Sequence, residues 1–420
     1  MTSAGSFATP KGLTVGLSQL NPLVGDLLGN EGKILADYAK AQAAGCDVVV
    51  YPELTITGYP PEDLLLKKAF VRDNESAVER IAARTKECAA LIGFVKADGD
   101  QLFNAVALCR NGSVQSVYLK QLLPNYAVFD EDRYFTPGPA MKDGVASGLF
   151  SLNDVTVGVT ICEDIWYADG PVAAQAASGA RIMLNLNASP FHEGKNVQRE
   201  QMLSTRAKET NSAIVYVNQV GAQDELVFDG SSVVVDCNGV IACRMKSFES
   251  DFAVVTIAGD GTVAPTHIEP FASDLDRVYD ALVVGTRDYV HKNGFTDVVI
   301  GLSGGIDSSI VAAIAVDALG ADHVHGVAMP SRYSSQGSLD DAEKHAQILR
   351  AGSIEVMISV PKNVGRSFTL VSNDHMPKVA LFMSSSDFVS ADEVLRKQIK
   401  NNADYSKLPS REHYIYQLSE

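Results

Sequence analysis

No stretch of this 420-residue chain holds the roughly eighteen consecutive apolar residues that a membrane-crossing helix needs, and the amino end, MTSAGSFATPKG, lacks the apolar core of a secretory signal. The expectation is a cytoplasmic protein with no membrane partner. Positive charge is also scarce: 35 Lys and Arg face 51 Asp and Glu, for a formal net charge of −16. Without a Lys/Arg-rich stripe such a chain repels a phosphate backbone, which argues against a nucleic-acid partner. Cys46, Cys88, Cys109, Cys162, Cys237 and Cys243 show no paired metal-ligand spacing, and most lie in apolar patterns, as reduced core thiols do. Repeats and low-complexity tracts are missing as well. No glycine follows Gly365, where average usage of about 7% predicts roughly four, so the tail has no material for a glycine-rich phosphate cradle.

What is present describes a globular α/β chain. Apolar residues make up 46% and charged residues 20%, and the length exceeds what one ordinary core serves, so two domains are expected. Residues 13–20, 47–51, 90–95, 104–109, 154–161, 181–187, 213–219, 231–236 and 252–257 read as strands rich in Val and Ile, bounded by Gly, Asn or Asp. Helical patterns fall at 30–44, 74–87, 171–178 and 195–210. Gly259, Gly261, a proline and polar neighbours make 259–273 a plausible linker. Beyond it helix 274–292, strand 297–301, helix 307–319, strand 323–328, helix 338–350 and strand 354–360 alternate, which predicts a doubly wound parallel sheet.

One cysteine departs from the core pattern. Cys162 stands where the apolar run Val155–Ile161 meets an acidic turn, Glu163-Asp164. Glu53 follows the apolar Val48-Val49-Val50-Tyr51-Pro52, and Lys120 follows Tyr118-Leu119. Cleaving an amide through a thiol requires a nucleophilic sulfur, a base that takes its proton and returns it to the leaving amine, and a cation or donor for the oxyanion. Cys162, Glu53 and Lys120 supply these in turn without a histidine. Alone, Cys162 reads as a buried structural thiol, with the nucleophile as the alternative that its wider context decides. Glu131 reads as an acidic loop residue, with a second active-site carboxylate as the alternative. His192, beside Phe191, reads as structural, and Lys195 as either a solvated charge or a substrate contact.

Longer matches surround these residues: Tyr51-Pro52-Glu53-Leu54 with Thr57–Leu64, Lys120 with Leu122–Tyr126 and Phe129-Asp130-Glu131, Ile161–Asp164, and Asn187–Phe191 followed by His192–Lys195. Over 12–258 the chain resembles the nitrilase, or carbon-nitrogen hydrolase, superfamily, and more narrowly the glutaminase part of the glutamine-dependent NAD synthetases. That resemblance implies a four-layer α-β-β-α sandwich, Glu53 as proton acceptor, Lys120 as supporting cation, Cys162 as nucleophile, and glutamine contacts from Tyr126, Ser189 and Lys195. It also implies a homo-oligomer.

A second motif begins at the end of strand 297–301. Gly301-Leu302-Ser303-Gly304-Gly305-Ile306-Asp307-Ser308 turns a buried strand into a helix; its glycines present backbone N–H groups, and the positive helix end attracts phosphate. It is neither a Walker loop nor a Gly-x-Gly-x-x-Gly fingerprint. It resembles the pyrophosphate loop of N-type ATP pyrophosphatases, and Gly326–Ser338 again resembles the NAD synthetases. The combined resemblance implies hydrolysis of glutamine through a thioester on Cys162 and amidation of deamido-NAD with ATP and Mg²⁺, giving NAD, glutamate, AMP and pyrophosphate, with ammonia passed through a channel. No metal ligands can be named. The family pattern stops near residue 360, leaving 274–360 as a partial synthetase domain and 361–420 as an atypical tail, either unrelated sequence on a shortened chain or a divergent form. The alternatives are a stand-alone amidase for another small amide and a non-catalytic nucleotide-binding subunit.

Overall fold

A computed structural model describes residues 12–142, 144–327, positions 335, 337, 340–342 and 344, and the strand 379–382. Of the expected helix 338–350 only 340–342 and 344 are described, and these are helical; the expected strand 354–360 and most of the Gly326–Ser338 loop lie outside the described residues. Contacts divide the chain into two units, Met1–Ala281 and Leu282–Glu420.

The first unit opens with β1 (Leu13–Gln19), α1 (Leu27–Ala43), β2 (Val48–Val50), α2 (Lys68–Ala82), β3 (Ala89–Asp98), β4 (Gln101–Arg110) and β5 (Ser113–Leu119), then a small hairpin of β6 (Met141–Lys142) and β7 (Val145–Ala146). It continues through β8 (Leu149–Leu152), β9 (Val155–Ile161), α3 (Pro171–Ala177), β10 (Ile182–Asn187), α4 (Lys195–Thr210), β11 (Ala213–Asn218), the hairpin β12 (Val220–Gln223) and β13 (Leu226–Asp229), β14 (Val233–Val235), β15 (Ile241–Arg244) and β16 (Asp251–Ile257). Two six-stranded sheets result, ordered β16-β1-β2-β3-β4-β5 and β15-β14-β11-β10-β9-β8.

The period-2 alternation of the strands sorts their side chains into layers. Val48, Val50 and Leu91 meet Val159, Leu184 and Val215 in a core between the sheets. Their neighbours Val49, Ala90 and Ile92 turn outward against Ile34 and Tyr38 of α1 and Val78 and Ile81 of α2. On the other sheet Met183, Ile214 and Tyr216 pack against Val172 of α3 and Leu203 of α4. The order helix, sheet, sheet, helix is the four-layer sandwich that the resemblance implies.

Several features depart from the sequence reading. β5, β8, the β12–β13 hairpin and β15 appear where no strand was expected; β5 is half-exposed with an irregular register against β4, and the others are four residues long. The supposed linker 259–273 lies on the edge of the second sheet: Arg244 N–H donates to His267 O and Glu269 N–H to Arg244 O, both at 3.0 Å. The unit boundary instead falls inside α5 (Asp274–Lys292).

The second unit holds β17 (Asp297–Gly301), α6 (Ile306–Leu319), β18 (Val324–Val327) and β19 (Val379–Phe382). Both β18 and β19 pair with β17 in parallel. The parallel sheet is as expected, but β19 comes from the stretch expected to be an atypical tail. Val298, Ile300, Ala312, Ala315 and Val324 form the core beneath it.

Leu184 is fully buried on the central strand β10 of the inter-sheet core. Leu184→Ala is expected to destabilise the first unit by about 2–5 kcal/mol in urea unfolding. Leu28→Ala, at a position 73% exposed, should change it by no more than about 0.5 kcal/mol.

Candidate active site

Glu53 lies just past β2, in a loop that folds across β3. A Cβ on Gly93 would come 2.4 Å from Leu54 N and 2.6 Å from Pro52 O, so only glycine lets the loop cross there. Leu54 holds φ at +45°, Thr55 Oγ1 donates to Pro52 O, and Glu53 N–H reaches Asn187 O at 3.3 Å. The carboxylate is itself fixed at both oxygens. Asn104 Nδ2 and Lys120 Nζ donate to Oε1, each at 2.7 Å, and Ala188 N–H donates to Oε2 at 3.0 Å.

Lys120 follows β5 directly, its N–H on Asn104 O at 2.8 Å and its own carbonyl accepting Gly138 N–H at 2.7 Å. The side chain is wholly buried. Its ammonium bridges Glu53 and Glu131, donating to both Glu131 oxygens at 2.8 and 2.9 Å. Burial pulls the Lys120 pKa down, but Glu131 and Glu53 outweigh it and keep the amine protonated. Glu131 is therefore not the loop residue expected: it is buried, takes Tyr59 Oη–H at 3.0 Å, and is pushed up to about 7 by burial, against the pull of Lys120.

Cys162 opens a short 3₁₀ turn, Cys162–Ile165, at the end of β9. Its φ of +42° is left-handed, a conformation that costs a non-glycine residue on the order of 1 kcal/mol and persists only where the surroundings impose it. Asp164 does much of the imposing. One of its oxygens accepts Ile161 N–H at 3.0 Å and Tyr118 Oη–H at 2.8 Å; the other accepts Gln121 N–H at 3.2 Å and Leu122 N–H at 2.9 Å. A single carboxylate thus staples the cysteine turn to the loop that carries Lys120. Burial raises the Asp164 pKa to about 6, opposed by the Ile161 N–H and Tyr118 hydrogen bonds.

The thiol is 4% exposed. Burial first, then the charge of Glu53, push its pKa well above the ordinary thiol range, while Lys120 pulls the other way. The resting sulfur is a thiol, and its activation requires a proton acceptor. Glu53, Lys120, Glu131 and Glu163 all act on it electrostatically, so the three residues singled out in the sequence meet in one place.

The remaining first-unit residues gather around it. Tyr126, 53% exposed, donates its hydroxyl to Glu163 Oε2 at 3.0 Å. Both line a depression of about 280 Å³ whose wall includes Leu122, Pro124, Asp132 and Tyr167. Ser189 is buried directly after Ala188, and Asn218 holds its N–H at 2.9 Å and its carbonyl at 3.2 Å. Lys195, the first residue of α4, is half-buried with its ammonium 4.2 Å from the centre of the Trp166 ring. Burial and then Arg199 lower its pKa, with Cys162 and Glu163 opposing, so it belongs to this site rather than to open solvent. His192 is exposed; its ring Nδ1 lies 2.9 Å from Glu193 O, and its carbonyl accepts Lys195 N–H at 3.1 Å. Sequence reasoning missed Asn104, Tyr59 and the clasp by Asp164. Asp164 had a signal, its place in the acidic turn after the cysteine; Asn104 had none, being one more residue of a strand.

In the second unit, Gly304 turns the chain at φ +79° after Leu302, and Gly305 caps α6. Ser308 Oγ donates to Gly305 O at 3.0 Å and contacts Ser303 Oγ at 3.2 Å, while Gly305 N–H reaches Ser303 Oγ at 3.3 Å. Ser303, Gly305, Ile306 and Asp307 are exposed, so the start of α6 presents its first N–H groups to solvent.

Residues 14–264 match the carbon-nitrogen hydrolase family model and residues 278–379 the NAD synthase model, which carries the second match past the expected limit at 360. The chain is 41% identical over 375 residues to the glutamine-dependent NAD(+) synthetase of Thermotoga maritima, covering 81% of this chain and 64% of that protein. It therefore spans less than two thirds of that relative's length. Among solved structures, the glutamine-dependent NAD+ synthetase of Acinetobacter baumannii in complex with ADP superposes with a TM-score of 0.77 at 34% identity, covering 94% of this chain and 69% of that one. A mutant amidase of the nitrilase superfamily from Nesterenkonia AN1 gives 0.52 at 25% identity over 59% of this chain and 92% of its own.

The charge on Glu131 controls how tightly Lys120 is drawn to Glu53. As pH falls through about 7 Glu131 takes a proton, Lys120 is left to Glu53 alone, and the Glu53 charge beside the thiol is more fully compensated. Alkylation of Cys162 by iodoacetamide is expected to fall on the acid side less steeply than the thiolate fraction of a free thiol, with an inflection near pH 7. Glu131→Gln should raise the rate at pH 8 by roughly tenfold and remove the inflection; a rate profile unchanged by the substitution would contradict this. These matches, over more than half the chain and around a buried Glu53–Lys120–Cys162 site, make the chain a member of the carbon-nitrogen hydrolase family, in its glutamine-dependent NAD(+) synthetase branch.

Proposed function

We propose that the first unit hydrolyses glutamine and that its ammonia serves an ATP-dependent amidation of deamido-NAD in the second. The observation that carries the reading is the burial of Lys120 between Glu53 and Glu131 beside a cysteine held at positive φ. Glu53 takes the Cys162 proton as sulfur attacks the side-chain amide carbon, and Lys120 offsets the negative charge that develops on the oxygen. When the C–N bond breaks, Glu53 returns the proton to the departing ammonia and leaves a γ-glutamyl thioester. Glu53 then removes a proton from water, which attacks the thioester and releases glutamate and the thiol. Tyr126, Ser189 and Lys195 hold the amino-acid end of glutamine.

In the second unit the exposed N–H groups and hydroxyls of Gly301–Ser308 suit ATP phosphates. The carboxylate of deamido-NAD attacks the α-phosphorus, pyrophosphate leaves, and ammonia displaces AMP to give NAD. Among the described residues no group of three His, Cys, Asp or Glu side chains could hold a metal; Mg²⁺ enters this reading as the companion of the ATP phosphates. No described helix is long and apolar enough to cross a membrane. A cytoplasmic location and a homo-oligomer belong to the same reading.

The two halves are tested separately. Glutamine should yield glutamate and ammonia, and Cys162→Ala or Glu53→Gln should lower the rate by at least about a thousandfold. Turnover of other small amides with glutamine untouched would favour an amidase of different specificity. ATP, Mg²⁺, deamido-NAD and an ammonium salt should give NAD without the glutaminase, and Cys162→Ala should leave that rate unchanged. No NAD under those conditions removes the synthetase half of the reading.

A further inference from the structure

A second buried charge cluster lies beside the Cys162 site, centred on Asp229 at the end of β13. Arg199 grips it with both terminal nitrogens, Nη1 to Oδ2 at 3.2 Å and Nη2 to Oδ1 at 3.0 Å, and Arg277 of α5 adds Nη2 to Oδ2 at 3.2 Å. All three side chains are no more than 1% exposed. Arg277 is sandwiched by Phe191 and Phe271, at 5.3 and 5.0 Å from its guanidinium carbon, and Arg199 lies over Tyr216 at 5.5 Å. Asp229 also accepts Asn218 Nδ2 on Oδ1 at 3.3 Å.

These partners lead to two different segments of the glutamine site. Asn218 clasps Ser189 through both its N–H and its carbonyl. Arg199 stands one helical turn after Lys195 on α4, where i and i+4 share a face. The Ser189 loop runs straight into α4, and Asp229 is bonded to a residue that holds each part, Asn218 for the loop and Arg199 for the helix. A bidentate guanidinium–carboxylate pair sets angle as well as distance, which a single point charge does not.

We propose that Asp229 is a positioning residue for glutamine capture, holding Ser189, through Asn218, and Lys195, through Arg199, in one fixed geometry. It touches no reacting atom, so its effect falls on binding rather than on the thiol chemistry of Cys162, Glu53 and Lys120. The inference rests on the glutaminase reading above.

The test compares glutamine hydrolysis with alkylation of Cys162 by iodoacetamide, a small electrophile that needs no amino-acid recognition. Asp229→Asn should raise the KM for glutamine about tenfold or more, with kcat and the alkylation rate changed by less than about threefold. Because that variant leaves two buried guanidinium groups without an anion, Arg199→Lys is the second arm: it keeps the charge, loses the fork, and should show the same KM-dominated split. An unchanged KM in both soluble variants, or an equal loss of hydrolysis and alkylation in Arg199→Lys, overturns the proposal. Wild-type protein that is alkylated at Cys162 yet leaves glutamine intact instead overturns the glutaminase reading itself.

Discussion

A lysine with no exposure to water, caught between two carboxylates, is the constraint on which the rest of the first unit depends. Taking Lys120 out of solvent costs several kcal/mol, a cost that its pairs with Glu53 and Glu131 offset only with good geometry and further hydrogen bonds. The surroundings supply both. Asn104 and the Ala188 N–H complete Glu53, and Tyr59 completes Glu131. Those partners come from β4, from the loop after β10 and from the loop after β2, so the pairing is complete only when both sheets are in place. The ion cluster is thus a consequence of the sandwich and also a reason for its register.

That cluster carries more carboxylate than ammonium. A charge left over after pairing is expensive in a protein interior and is retained where chemistry uses it. Here one cation is shared by two carboxylates and cannot neutralise both, and that surplus of negative charge is what the proposed base chemistry would draw on. The elevated pKa of Glu131 shows the strain of the arrangement, because burial and the neighbouring Glu53 both oppose a full second negative charge.

Much of this was legible in the sequence, and what was not has identifiable causes. Strands with a continuous Val and Ile signal, such as Val155–Ile161, were found because burial on both faces of a sandwich sheet leaves little polar interruption. β5 escaped because SVQSVYL is half-exposed, and β13 because a four-residue strand is too short to display a period. Glu53, Lys120 and Cys162 stood out since each ends an apolar run. Glu131 did not, lying in a loop where an acidic residue is ordinarily solvated; only the fold reveals that the loop is covered. The packing of 259–273 was hidden for a similar reason, since glycine and proline mark turns but do not say whether a segment lies against a sheet. β19 escaped because VALF sits in a polar stretch with no glycine after it, so neither flank announced a strand beside β17.

The two buried clusters of the first unit have opposite excess: one lysine with two glutamates, and two arginines with one aspartate. The difference follows from what each faces. On the proposed reading the first serves a thiol that loses a proton and an oxygen that gains charge, so it supplies a base and a fixed cation. The second lies behind Lys195, whose ammonium is disfavoured by burial and by Arg199. Without Asp229 that repulsion would grow, since Arg199 would then stand unneutralised one turn away. Asp229 therefore acts on Lys195 twice, through the angle at which α4 presents it and through the field that lets it remain charged. A neutral hydrogen-bonding residue could in principle preserve some of the angle, but it could not supply the field.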